Sequence, residues 1–156
     1  AKEALDGFIA MRAAEGEKLK TDINSRADKI LECVSFVEER SPQSVASYTE
    51  RLKQKIAELA GDTSFDEGRL LTEVAIFADK IAVDEETVRL KSHISQLKAL
   101  LETGGPIGRK LDFIVQEMNR EANTIGSKAQ DIEITRTVLD IKAEIEKIRE
   151  QIQNIE

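Results

Sequence analysis

DEETVRLKSHISQLKALLETGGPIGRKLDFIVQEMNREANTIGSK, residues 84–128, reads as two helices joined by one turn. TGGPIG (103–108) gathers three Gly and one Pro in six residues and is the clearest break in the chain. After it, Ile107, Leu111, Ile114, Met118, Ala122 and Ile125 recur at steps of three and four, the helix period. Arg109, Asp112, Gln116, Asn119 and Asn123 form a polar stripe, with Glu117, Arg120, Glu121 and Thr124 beside it. NTIGS (123–127) is a candidate interruption. Before the turn, Glu86, Arg89 and His93 are three and four residues apart and share one helix face, and Glu85 pairs with Arg89 at i,i+4.

A turn this short closes an antiparallel hairpin. His93 lies about as far before it as Gln116 and Glu117 lie after it, so the three fall at one level. The hairpin then gathers Glu86, Arg89, His93, Asp112, Glu117, Arg120 and Glu121 in one region. Oxygen ligands of this kind suit Mg²⁺ or Mn²⁺ rather than zinc, and an imidazole on such a face suits acid–base work near neutral pH. The competing reading is a set of helix-surface ion pairs worth a few tenths of a kcal/mol each. The stripe's mixture of amides and both charge signs departs from the Glu/Lys alternation of KAEIEKIREQ (142–151).

Outward from the hairpin the chain stays helical. Leu5, Ile9, Leu19, Ile23, Ala27, Ile30, Val34 and Val37 predict a first helix over 3–40, about 55 Å long at 1.5 Å per residue, with Gly7 and Gly16 as weak points. SPQS (41–44) reads as a stop and restart, with Ser41 as N-cap and Pro42 at the first helical position. A second helix over 42–59 follows, with Gly61 as its cap and GDTSFD (61–66) as a loop. A third stretch runs from 66 to 82, and Asp84 marks either a fresh helix start or a kink. At the C-terminus Ile134, Val138, Ile141, Ile145, Ile148, Ile152 and Ile155 keep steps of 4, 3, 4, 3, 4, 3, a heptad seam. The seam predicts packing against the long first helix, with an oligomer interface as the alternative.

Composition agrees. Among 156 residues only 4% are aromatic, none is Trp, 34% are charged, and Gly and Pro number 8 and 2. This is a mixture for long helices and not for a many-stranded sheet. The expectation is an all-α fold: an elongated bundle of about five to six helices with long helical hairpins, no sheet, and a single domain over 1–156. No apolar run approaches the roughly 20 residues of a membrane span, and a cytoplasmic location is the default. Cys33 stands alone among Ile30, Leu31 and Val34, which excludes an internal disulfide and a multi-cysteine zinc site and makes it a small core residue. His93 is the one histidine, so HExxH is excluded, and no Walker loop, GxGxxG or GxSxG occurs. The net charge of −7 argues against a uniformly basic nucleic-acid surface, though not against a cation bridging carboxylates to phosphate.

EETVRLKSH (85–93), GRKLDFIVQEMNREANTIGSK (108–128) and EIEKIREQIQNIE (144–156) strongly resemble the C-terminal half of the YicC-like bacterial proteins. The resemblance covers the whole chain and about half of a family member, and implies that an N-terminal domain is absent. It implies a metal-dependent endoribonuclease, of a family once labelled stress-induced, acting on single-stranded RNA with Mn²⁺ or Mg²⁺. It also implies a homo-oligomer, with a hexameric ring as the proposed form. The matching motif positions are Glu73, Glu85, Glu86, Arg89, His93, Arg109, Asp112, Gln116, Glu117, Asn119, Arg120, Glu121, Asn123 and Lys128. Assigned by residue chemistry, His93, Glu117 and Glu86 are the catalytic candidates. Asp112, Glu117 and Glu121 are the candidate metal ligands. Arg89, Arg109, Arg120 and Lys128 are the candidate phosphate binders. The alternative is a non-catalytic oligomerisation and RNA-clamping scaffold whose catalysis needs the absent domain.

Overall fold

The structure, a computed structural model, describes residues 2–60 and 67–155. All elements among them are helices: α1 (Lys2–Ala60), α2 (Glu67–Ile81), α3 (Asp84–Thr103), α4 (Gly108–Lys128) and α5 (Ile132–Ile155). The 61–66 loop and the Gly61 cap expected from the sequence lie outside the described residues.

The core is a four-helix bundle built from the middle of α1 with α3, α4 and α5. In α1, Ile23, Ala27, Ile30, Val34 and Val37 repeat at steps of four and three and are fully buried. The α5 seam answers them. Ile134, Val138, Ile141, Ile145, Ile148 and Ile152 are all buried inside this chain, packed against α1 and α4. The side chain of Ile155 lies outside the described residues. The seam is therefore used within the chain and is not available to a second copy, which settles its two readings in favour of α1. Ion pairs fix the directions. Arg26 reaches Glu144 at 3.0 Å and Arg40 reaches Asp131 at 2.7 Å, so α1 and α5 are antiparallel. Lys98 pairs with Asp28, and Lys91 with Glu38 at 2.8 Å, which sets α3 antiparallel to α1. Leu90, Ile94, Leu97, Leu111, Met118 and Ile125 fill the space between α3 and α4 and the other two helices. Cys33 packs against this core only partly buried, and loss of solvent around it pushes its thiol up.

Three local expectations change. SPQS does not stop the first helix, and α1 continues through Gly7, Gly16 and Pro42 for 59 residues, about 88 Å. Proline removes one helical hydrogen bond and disfavours the interior by about 3 kcal/mol, but packing holds both sides of it here. Val37 and Ser41 are buried in the bundle, and one further stretch along, Tyr48 stacks on Phe77 of α2 at 5.2 Å. Asp84 does not cap α3; Val83 occupies the cap position without a side-chain bond, and Asp84, Glu85 and Glu86 sit in the first turn, where acidic groups suit the helix dipole. NTIGS does not interrupt α4, which is continuous to Lys128. Gly126 within it serves close packing: a Cβ there meets Val138 Cγ1 of α5 at 3.2 Å.

Two turns position the hairpin. Gly104 and Gly105 have φ of 71° and 80°, a region glycine enters freely, so the TGGPIG turn needs both. At the other end Asp131 precedes α5 and accepts the Glu133 backbone N–H at 2.8 Å, the bond of an N-cap. Burial alone pushes the Asp131 carboxyl up, but the Arg40 hydrogen bond and the backbone N–H groups outweigh it and hold the carboxyl below its ordinary value.

Candidate functional site

Because α3 and α4 run antiparallel, their residues meet in facing pairs. Lys128 Nζ donates to Glu86 Oε1 at 2.6 Å. Arg89 Nε donates to Glu121 Oε1 at 3.0 Å, and the same guanidinium lies 3.5 Å from both Glu85 Oε2 and Glu86 Oε1. One turn further on, His93, Glu117 and Glu121 each offer a ligand atom, and the three atoms lie within 4.8 Å of one another. The hydrogen bond to Glu121 is the main cause that raises the Arg89 guanidinium above its ordinary value.

Burial gives this row its chemical character. Glu86 is 2% exposed and Glu121 is 6% exposed, the two buried carboxylates of the bundle among the described residues. Charged groups are rarely buried to this degree unless paired or ligating. Lys128 and Arg89 answer one oxygen of each carboxylate. Glu86 Oε2, Glu121 Oε2 and His93 Nδ1 are buried without a hydrogen-bond partner among the described residues. Two of these three atoms sit on residues of the ligand-spaced trio, His93 and Glu121. Unpaired buried acceptors cost free energy, and a cation is the partner their chemistry accepts. Ligands on opposite sides of a cation at about 2.1 Å are about 4.2 Å apart, so the trio is close to closing distance.

The site residues expected from the sequence divide into groups. Glu85, Glu86, Arg89, His93, Glu117, Glu121 and Lys128 come together. Arg120 stands beside them, 3.8 Å from Glu117 with its side chain 75% exposed. Asp112, Gln116, Asn119 and Asn123 are not brought to the trio. At 100° per residue Asp112 points about 140° away from Glu117 around α4, and its carboxylate accepts a bond from Gln116 at 3.1 Å. On the same wheel Asn119 and Asn123 also lie more than about 100° from Glu117. Arg109 lies towards the turn, in a cleft with Gln96 and Phe113. Glu73 is exposed on α2, beside Leu52 and Ile56 of α1, away from the hairpin. His93, expected as an acid–base group, stands at ligand spacing from Glu117 and Glu121, and Asp112, expected as a ligand, does not. A separate cleft of about 480 Å³, lined among others by Arg40, Ser44, Arg51 and Asp131, contains none of the predicted residues.

Residues 37–156 match the family model described as "Endoribonuclease YicC-like, C-terminal". The chain belongs to the YicC-like family. It is 52% identical over 156 residues to a protein of Clostridioides difficile (strain 630) named "Probable endoribonuclease YicC", covering 99% of this chain and 53% of that protein. It is 40% identical over 154 residues to a protein of the same name from Haemophilus influenzae (strain ATCC 51907 / DSM 11121 / KW20 / Rd), again with 99% and 53% coverage. The chain thus spans about half the length of the curated YicC relatives it matches. Among the described residues no helix is long and apolar enough to cross a membrane.

Proposed function

We propose that this YicC-like domain carries the cation-dependent, phosphodiester-cleaving centre of an endoribonuclease acting on single-stranded RNA. The observation that carries the reading is the His93–Glu117–Glu121 trio, with two buried unpartnered atoms pointing to a ligand. The donor set fits a divalent cation. Carboxylates suit Mg²⁺ and Mn²⁺, and the imidazole shifts the preference towards Mn²⁺. A bound divalent cation supplies charge neutralisation at the phosphoryl group and acidifies an attacking water.

The chain's own residues then divide the work. His93, Glu117 and Glu121 hold the cation, His93 as neutral imidazole. Arg89 fixes Glu121 through Oε1 and leaves Oε2 for the ligand, and Glu86 fixes Arg89 and Lys128 from below; these are positioning residues. Arg120, exposed and held only at 3.8 Å, is free to turn to a phosphate, where a cation stabilises developing charge. A chain of net charge −7 repels RNA overall, and a local site of bound cation and arginine reverses that sign where it matters.

The test uses the full-length protein and a labelled single-stranded RNA, with Mn²⁺, Mg²⁺ or chelator. Glu121→Gln and His93→Gln are expected to abolish metal-dependent cleavage and to weaken Mn²⁺ binding in calorimetry. Undiminished cleavage by both variants overturns the assignment. A second reading rests on length. Because the chain covers about half of its relatives, the domain acts in this reading as an RNA-clamping scaffold and catalysis comes from the remainder. Loss of Mn²⁺ binding without loss of cleavage favours it. Assembly into a homo-oligomer, the hexameric ring included, and a cytoplasmic location accompany either reading; assembly must use a surface other than the buried α5 seam.

A further inference from the structure

The row of facing residues continues past the cation trio towards the turn. Gln96 follows His93 by three residues, and Phe113 precedes Glu117 by four, so each lies one turn along on the same face of its helix. Together with Leu100, Arg109, Lys110 and Ile114 they line an open cleft of about 370 Å³, within the roughly 300–1,000 Å³ of small-ligand sites. Phe113 is 62% exposed. A single exposed apolar side chain is ordinary; this one stands beside two adjacent cations, Arg109 and Lys110, that have no ion pair among the described residues.

We propose that this cleft is a nucleobase platform, in which Phe113 stacks on one base of a single-stranded RNA while Arg109 and Lys110 hold the neighbouring phosphate. The proposal rests on the ribonuclease reading and extends it to substrate positioning. An aromatic face accepts any base, because every base has a π-face, and flanking cations track the backbone. The Gln96 amide, a donor and an acceptor, is placed to meet a base edge. Four residues of helix separate Phe113 from Glu117, about 6 Å along α4. A base on Phe113 therefore belongs to a nucleotide next to the phosphate at the cation site. Stacking of this kind needs an unpaired base, so the platform supplies a physical reason for selecting single strands.

The experiment uses the full-length protein. Phe113→Ala is expected to raise KM for a short single-stranded RNA about ten- to hundredfold and to leave kcat within about threefold, with Phe113→Tyr restoring KM. This chain contains no Trp, so Phe113→Trp adds an indole whose emission is read as the difference from the parent protein. Addition of a short oligouridylate in chelator is expected to quench it, and an equal length of duplex RNA is not. Because quenching is read without metal and without cleavage, it stands even if the cation assignment fails. An unchanged KM in Phe113→Ala, or an indole emission indifferent to the oligonucleotide because another part of the protein covers it, overturns the proposal.

Discussion

Replacing Lys128 with Met removes the closest cationic partner of a carboxylate that is 2% exposed. Breaking a fully buried ion pair from one side costs about 3–5 kcal/mol, because the remaining charge has lost its compensation. Two features lower that figure here. The Lys128 side chain is 31% exposed, and Arg89 stays 3.5 Å from the same Glu86 oxygen. About 2 kcal/mol is the expected loss. For a chain of this size it lowers Tm by about 4–8 °C. Removing the carboxylate as well, in Lys128→Met with Glu86→Met, leaves no orphaned charge and is expected to recover at least about 1 kcal/mol of it. Urea titration followed by far-UV circular dichroism on the four proteins of this cycle gives the coupling directly. Lys128→Met losses below about 0.5 kcal/mol, or strictly additive single and double losses, refute the view that Glu86 is a buried charge held in place by its partners.

Other consequences follow from the packing and the caps. Ile141 is fully buried in the α5 seam, and Ile141→Ala is expected to cost about 2–5 kcal/mol in the same titration; a loss under 1 kcal/mol is incompatible with a close-packed seam. Gly126→Leu places a side chain where Val138 already stands at 3.2 Å from a bare Cβ and is expected to destabilise by about 1–3 kcal/mol, whereas Gly126→Ala is near neutral, helix propensity offsetting the shift of Val138. The Asp131 carboxyl is held below its ordinary value, so its contribution is present above the ordinary carboxylate range near pH 4 and is lost as pH falls through the folded value. Asp131→Asn is expected to flatten the acid limb of stability against pH, and an unaltered limb contradicts the assignment.

Much of the bundle is written in apolar spacing. The strict step of 4 and 3 along α5 finds its match in Ile23, Ala27, Ile30, Val34 and Val37 of α1, and both become core. TGGPIG needs φ values that glycine adopts, so its position as a turn follows from residue chemistry alone. Local breakers were less informative. Pro42 carries the same signal inside a packed 59-residue helix as at a helix start, and only tertiary contacts decide between them.

The site was legible in register and illegible in rotation. Equal distances from the turn correctly set His93 level with Glu117. They do not say which side of α4 faces α3, and so Asp112 was counted with Glu117 although the two point about 140° apart. Glu121 closes the trio because it repeats the Glu117 position at i,i+4. Its burial beside an apolar stripe was the available signal, since a carboxylate next to Met118 and Ala122 at the core boundary is held there by a partner or a ligand. Phe113 gave no signal of its own, for a phenylalanine in an amphipathic helix is expected inside, and only its exposure marks it.

Anomalous diffraction from crystals of the protein soaked in Mn²⁺ locates the cation without reference to activity. One strong peak is expected, bounded by His93, Glu117 and Glu121, with Arg89 still bonded to the other Glu121 oxygen, and it is expected to disappear in Glu121→Gln. A peak on Asp112 and the outer side of α4, or no ordered peak between α3 and α4 at saturating Mn²⁺, contradicts the cation assignment.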